Sequence, residues 1–170
     1  MDNNNYQSRY WRELDQLKVH VFYLESYLEK TLNYDRWLNM FIAIMANGSI
    51  ASWVVWKEYS FIWGLLIALS QLINAIKVYL PYQKRLKSLE SITKELETLF
   101  LVMETAWFDV SEGKLTEQEI HKQRMDMKKK KQQLTDKYFG GNPLPHDKKL
   151  LIKAKDQAVS YFKTFYFFED

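Results

Sequence analysis

Two adjacent stretches of the chain contain no charged side chain. Residues 37–56 and residues 59–76 lack Asp, Glu, Lys and Arg, and only Lys57 and Glu58 separate them. As helices that rise about 1.5 Å per residue, stretches of 20 and 18 residues reach roughly 30 and 27 Å, close to the roughly 30 Å hydrocarbon core of a bilayer. The pattern predicts a transmembrane helical hairpin with spans over residues 37–56 and 59–80.

The flanks of both stretches carry residues that membrane proteins place at the bilayer surface. Aromatic residues occur at both ends, among them Trp37, Trp56 and Tyr82, and Trp and Tyr favour the headgroup region. Lys and Arg precede the first stretch and follow the second. Because cytoplasmic loops carry an excess of basic residues, we expect both termini in the cytoplasm. The alternative is a buried hairpin of a soluble protein, which seldom needs two charge-free helices of this length.

Outside the hairpin, apolar residues recur at the alternating spacing of three and four that defines a heptad repeat. The set before the hairpin is Leu14, Leu17, Val21, Leu24 and Leu28, and the set after it is Leu89, Ile92, Leu96, Leu99, Met103, Ala106 and Val110. Because the hairpin returns the chain to the same side, we expect the two helices to pack as an antiparallel pair continuous with the spans. The heptad residues can join helices of one chain or of neighbouring subunits.

Two further helices are predicted after the second heptad set. Thr116 and Glu119 form a capping-box pattern, in which each side chain bonds the backbone N–H of the other residue, so a helix should begin there and run to about Phe139. Gly140 should end it, and a last helix with an aromatic-rich side should follow over about residues 147–168. The chain is thus predicted to be an all-α membrane protein of about five helices, with a cytoplasmic N-terminal helix (1–36), a transmembrane hairpin (37–80) and a cytoplasmic helical region (81–170).

The sequence offers little for catalysis or metal binding. There is no Cys, and the three histidines, His20, His121 and His146, lie on different segments without an acidic cluster at metal-ligand spacing. Each is predicted to be a surface or packing residue. The serines of the charge-free stretches have no partner base within sequence reach. We therefore predict no catalytic residue, no metal site and no cofactor, and we expect a protein that is not an enzyme.

Polar and small residues inside the two stretches are the candidates for function in the membrane. The polar residues are Asn47, Ser52, Gln71 and Asn74, and the small residues that let helices approach are Gly48, Gly64 and Ala68. An amide in the bilayer needs a partner or water. The four polar residues are predicted either to hydrogen-bond within the hairpin or to line a water path, which requires several copies of the chain because two helices cannot enclose a pore.

A basic block lies in the predicted fourth helix. It consists of Arg124, Lys128, Lys129, Lys130 and Lys131. Such a block can be a solvated helix face, a contact with anionic lipid headgroups, or a site for a phosphorylated ligand or RNA. Aromatic residues do not interleave with the lysines, so nucleic-acid binding is disfavoured.

The order of these elements resembles the SLATT family of bacterial two-span membrane proteins, which are associated with nucleotide-second-messenger and other anti-phage defence loci. The resemblance covers about residues 6–139 and is carried by residues 37–56 with Asn47, by residues 59–80 with Gln71 and Asn74, and by the flanking helices. It implies an effector that perforates or depolarises the bacterial inner membrane when activated.

Together these features predict an oligomeric inner-membrane effector that forms a pore or disrupts the membrane in anti-phage defence by abortive infection. Its partners would be membrane lipid, further copies of the chain, and a regulatory protein or nucleotide second messenger. Two alternatives remain open. One is a membrane receptor whose cytoplasmic half binds a cyclic oligonucleotide through the basic block, and the other is an anchor or scaffold for a neighbour-encoded enzyme.

Overall fold

The protein is built from α helices. A computed structural model describes residues 6–55, 60–79, 82–140 and 144–166, and these residues form five helices and no strand. The helices are α1 (Tyr6–Val55), α2 (Ser60–Tyr79), α3 (Tyr82–Ser111), α4 (Glu117–Phe139) and α5 (Lys148–Tyr166). The prediction of an all-helical chain is confirmed. The predicted hairpin tip at Lys57 and Glu58 lies outside the described residues.

The predicted transmembrane hairpin over residues 37–80 is wrong. Within the described ranges, no helix contains a stretch that is both long and apolar enough to cross a membrane. The prediction rested on the absence of charged residues, on the length of the two stretches and on their aromatic and basic flanks. Moving an amide or a hydroxyl out of water also costs free energy, and α2 includes Ser70, Gln71 and Asn74 among its leucines and isoleucines.

Contacts between helices divide the chain into two compact units. Unit 1 comprises Met1–Leu28 and Lys87–Asp170, and unit 2 comprises Glu29–Leu86. Unit 1 therefore combines the N-terminal half of α1 with most of α3 and all of α4 and α5. Unit 2 contains the second half of α1, α2 and the first residues of α3.

The heptad residues form the core of unit 1 within a single chain. Those that are fully shielded from solvent are Leu14, Leu17, Val21, Leu24, Leu89, Ile92, Leu96 and Val110, and Leu99 and Met103 are nearly so. Leu28 is partly buried against this core. Burying each Leu or Ile side chain stabilises the fold by about 1.5–3 kcal/mol, so the pairing of α1 with α3 is the principal support of the bundle.

The aromatic-rich end of α5 docks on an aromatic cluster of α1 and α3. The ring of Trp11 lies 4.8 Å from that of Phe162, 5.2 Å from that of Tyr166 and 4.9 Å from that of Trp107, measured between centroids. Aromatic pairs at such separations add stability beyond the area that they bury. The cluster explains why the last helix ends in so many aromatic residues.

Both ends of α4 follow from local sequence. At its start, the Glu119 carboxylate accepts from the Thr116 backbone N–H at 2.8 Å while the Thr116 hydroxyl accepts from the Glu119 N–H at 3.4 Å, so the predicted capping box is confirmed. At its end, Gly140 adopts a left-handed conformation with φ 48° and its N–H bonds the Asp136 carbonyl. Glycine favours that conformation because it has no Cβ.

Candidate ligand site

A cavity of about 350 Å³ lies in unit 1 between α1, α4 and α5. Its walls are mainly apolar, with a few polar side chains among them. The lining residues are Gln16, Val19, His20, Tyr23, Thr135, Phe139, Leu144, His146 and Leu151. The cavity thus joins residues that are far apart in sequence, and it brings together two of the three histidines.

Helical spacing directs these side chains to the cavity. Gln16, His20 and Tyr23 recur every three or four residues on α1, and Thr135 and Phe139 are four apart on α4, so each set lies on one face of its helix. The cavity wall therefore consists of one face of α1 and the last turns of α4. It is completed by the segment that follows α4 and by the first turn of α5.

The segment between α4 and α5 is fastened over α1 by a tyrosine. The Tyr23 hydroxyl donates to the Pro145 carbonyl at 2.9 Å and accepts from the Asp147 N–H at 3.2 Å. The Asp147 carboxylate in turn accepts from the backbone N–H groups of Lys149 at 3.0 Å and Leu150 at 3.3 Å, which caps the start of α5. These bonds hold one wall of the cavity in place.

His20 is a neutral imidazole in this setting. Burial, together with the positive charge of Lys131, lowers its pKa to about 4. A neutral imidazole has one ring nitrogen that donates and one that accepts. At neutral pH, His20 therefore presents both kinds of hydrogen-bonding group at the cavity.

Lys131 does not line the cavity, but it supplies a positive charge near His20. It lies one helical turn before Thr135, whose hydroxyl donates to the Lys131 carbonyl at 2.9 Å. Burial lowers the pKa of Lys131, and the nearby charge of Glu13 opposes that shift. A partly buried ammonium group attracts anions more strongly than a solvated one because water screens it less.

Two of the other basic residues, Lys129 and Lys130, point away from the side of Lys131, because successive residues of a helix are separated by about 100°. Arg124 and Lys128 lie seven and three residues before Lys131, on the same side of α4. Lys128 pairs with Glu13 at 3.0 Å, and Lys129 is exposed. Lys130 lines a second cavity of about 320 Å³ next to Glu95. The Nε of Arg124 is buried without a hydrogen-bond partner among the described residues. The five basic residues thus do not form one anion site.

The polar and small residues predicted to act in a membrane do not converge on one site among the described residues. Gln71 and Asn74 are exposed, as are Gly64 and Ala68. Ser70 is a buried polar residue of α2, and its hydroxyl donates to the Ile67 carbonyl at 2.8 Å. The predicted residues Asn47, Gly48 and Ser52 belong to α1, and their side chains lie outside the described part of the structure.

A buried lysine was missed by sequence reasoning. The Lys18 side chain is only 7% exposed, and its Nζ lies 4.1, 4.3 and 4.8 Å from the ring centroids of Tyr161, Phe100 and Phe22. Such short distances indicate cation–π contacts. The available signal was its position, since Lys18 directly follows Leu17 and lies four residues after Leu14, on the apolar side of α1.

Glu104 compensates the charge of Lys18 and anchors α5. Its carboxylate accepts from the hydroxyls of Tyr161 at 2.8 Å and Tyr166 at 3.1 Å. Burial lowers the pKa of Lys18, and Glu104 is the carboxylate that most opposes the shift. Burial, with help from Glu104, raises the pKa of Tyr161 to about 12. We interpret this group as a structural link between α1, α3 and α5.

In the described ranges, no group of three or more His, Asp or Glu residues could hold a metal ion. Comparison with known proteins gives no match of any kind: no family model, no curated protein and no solved structure is similar to this chain. The case for a functional site therefore rests on the geometry of the cavity itself.

Proposed function

We propose that unit 1 binds a small ligand that has a flat ring and an anionic group. The cavity between α1, α4 and α5 is the observation that carries this proposal. Ligand pockets in proteins are mostly apolar with a few convergent polar groups, and this cavity has that composition. Gln16, His20 and His146 supply the polar groups, and Lys131 supplies a positive charge beside them.

The size of the cavity limits the ligand. Its volume of about 350 Å³ is near the lower end of the range of roughly 300–1,000 Å³ that is typical of ligand pockets. A single mononucleotide or an aromatic acid has a size that matches such a volume. The proposal thus names a smaller ligand than the cyclic oligonucleotide of the sequence prediction, which stays a prediction.

The side chains suit a planar ring. The rings of Tyr23 and Phe139 lie in the cavity wall with the apolar Val19 and Leu151, and these groups favour a flat, apolar surface. The neutral His20 can donate to and accept from the edge of a nucleobase. Hydrogen bonds in a site of low polarity are stronger than in water, so a few of them are enough to bind and orient a ligand.

Three predictions were based on the transmembrane hairpin or on the family resemblance: the pore-forming role, the defence context and the inner-membrane location. They stay predictions that no observation on the described residues tests. The scaffold alternative likewise stays a prediction.

Isothermal titration calorimetry of the full chain tests the proposal with three ligands: adenosine monophosphate, guanosine monophosphate and 1-naphthoate. We expect at least one to bind with a micromolar dissociation constant. Binding of a nucleotide alone would identify base-edge recognition, and binding of naphthoate alone would identify an aromatic acid. No heat with any of the three would contradict the proposal.

Two variants show whether binding occurs in this cavity. Leu144→Trp fills it without changing charge, and it should abolish binding. Lys131→Gln should weaken binding about tenfold, while Lys129→Gln, which removes an exposed charge from the same helix, should leave it unchanged. Equal effects of the two lysine variants would indicate nonspecific attraction to the basic block.

A further inference from the structure

The outward side of α2 is apolar and exposed. Phe61 is 82% exposed, and Ile62, Leu65, Leu69 and Leu72 are each exposed by more than two fifths. The spacing of four, four and three between Phe61, Leu65, Leu69 and Leu72 places them in one stripe along the helix. The sequence has no charged residue from position 59 to position 76, so the stripe has no charge within it.

The exposed area of the stripe is that of a small protein interface. The five side chains leave roughly 500 Å² of apolar surface, which is the size of the largest patch on an ordinary monomer. Trp37, Met40 and Ile44 of α1, in the same unit, are each more than half exposed as well. A standard interface covers roughly 800 Å² of each partner.

The side of α2 that adjoins the stripe allows another helix to approach closely. Gly64, Ala68, Gln71 and Ala75 are exposed and are spaced by four, three and four residues, which is the heptad spacing. A Cβ placed on Gly64 would meet no atom within 4 Å. Small residues at the contact allow a shorter distance between helix axes.

We infer that the outward side of α2 binds the α2 of a second copy of this chain, with the two helices parallel. A foreign partner with charges on its surface would have to bury them unpaired against α2, which is unfavourable. A second copy offers an identical charge-free stripe of the same length. An interface of this kind is self-complementary about a two-fold axis.

Gln71 fixes the relative direction of the two helices. Its amide both donates and accepts hydrogen bonds, and burial without a partner would cost free energy. Parallel helices in register bring Gln71 opposite the Gln71 of the second copy, and they bring the two Gly64 residues together. An antiparallel pair centred on Ala68 would place Gln71 opposite Leu65. Polar residues at such positions set register in coiled coils.

Sedimentation velocity of the full chain tests this inference. Leu65→Glu should raise the dissociation constant of the dimer at least tenfold. Leu101→Glu is the matched control, because Leu65 and Leu101 are both 53% exposed but Leu101 belongs to unit 1. Helix content measured by circular dichroism should be unchanged in both variants.

A disulfide gives a second readout that does not depend on the effect of a charge. The chain has no Cys, so Gly64→Cys introduces a single thiol, and oxidation should produce a covalent dimer. Thr105→Cys, at an exposed position of α3, should give little covalent dimer. Both results together support the parallel pair.

Three results would overturn the inference. The first is a wild-type chain that stays monomeric up to about 100 µM, and the second is a dimer that Leu65→Glu does not weaken. The third is a monomer that binds phosphatidylcholine vesicles and loses that binding in Leu65→Glu, because lipid would then cover the stripe. Ligand binding in unit 1 is independent of all three.

Discussion

Unit 1 buries a large apolar core, whereas α2 of unit 2 leaves several of its leucines exposed. In unit 1, four helices surround the heptad residues, and leucines such as Leu17 and Leu96 have no exposed surface. In unit 2, Leu65, Leu69 and Leu72 of α2 face outward, while Ser70 is buried. The comparison teaches that apolar residues are buried only where enough neighbouring helices exist to cover them. A charge-free stretch has no polar side that must face solvent, so its pattern does not specify which side is covered.

The largest expected effect is on the free energy of unfolding, when the same Leu→Ala substitution is made in each of the two units. Leu96→Ala empties a fully buried site in unit 1 and should lower the free energy of unfolding by about 3 kcal/mol. Leu72→Ala removes a side chain that is 56% exposed, and it should change that free energy by no more than about 0.5 kcal/mol. Urea unfolding followed by circular dichroism measures both.

The urea series is to be run at a protein concentration at which the chain is monomeric, so that association does not contribute. Equal losses in the two variants would show that unit 2 covers its leucines as unit 1 does. The comparison between the units would then fail.

The second prediction concerns pH and applies only to unit 1. The pKa of His20 falls from 6.5 in the unfolded chain to about 4 in the folded chain, so the folded protein binds fewer protons between these values. Acidification from pH 7 to pH 5 should therefore cost about 2 kcal/mol of unfolding free energy through His20. Burial raises the pKa values of Asp15 and Glu25, and these shifts act in the opposite direction.

A variant isolates the contribution of the histidine from that of the carboxylates. His20→Gln should reduce the acid-dependent loss by about 2 kcal/mol, measured by urea unfolding at pH 7 and pH 5. His121→Gln, at an exposed position of α4, is the matched control. An unchanged pH dependence in His20→Gln would mean that the imidazole is charged in the folded protein.

The sequence could predict the helices and some of their ends because those features are local. The capping box of Thr116 and Glu119 and the glycine at position 140 depend on neighbours within four residues. Heptad spacing also identified residues such as Leu17 and Leu96, which the structure buries, because charged residues mark the opposite side of their helices.

Features that depend on contacts between distant residues could not be predicted. His20 and His146 share a cavity only because Tyr23 fastens the segment before α5 over α1. The aromatic contacts of Lys18 involve α1, α3 and α5 together. The transmembrane prediction failed because it weighed the absence of charge, the length and the flanks of the two stretches but not the polar side chains within them, such as Gln71 and Asn74.

The third prediction asks whether the buried cation of unit 1 stabilises the fold. Lys18→Met keeps a side chain of similar length among the three aromatic rings but removes the charge and its cation–π contacts, so it should lower the free energy of unfolding by about 1 kcal/mol. Lys18→Ala also removes the packing of the aliphatic stem, and it should cost about 2 kcal/mol. Thermal and urea unfolding measure both. If the two variants lose equal stability, the charge itself contributes and the packing does not.

The smallest expected effect has opposite signs in the two units. Gly64→Ala places a methyl group in open space within α2 and should stabilise that helix by about 0.5–1 kcal/mol, since glycine in a helix loses more conformational entropy. Gly140→Ala, at φ 48°, should lower stability by about 1 kcal/mol because a side chain is strained there. Urea unfolding of both variants in a Leu65→Glu background excludes association. Destabilisation by Gly64→Ala in that background would mean that α2 already packs against another helix at Gly64. The side of α2 that carries Gly64 would then be buried, and the contrast between the two units would not hold there.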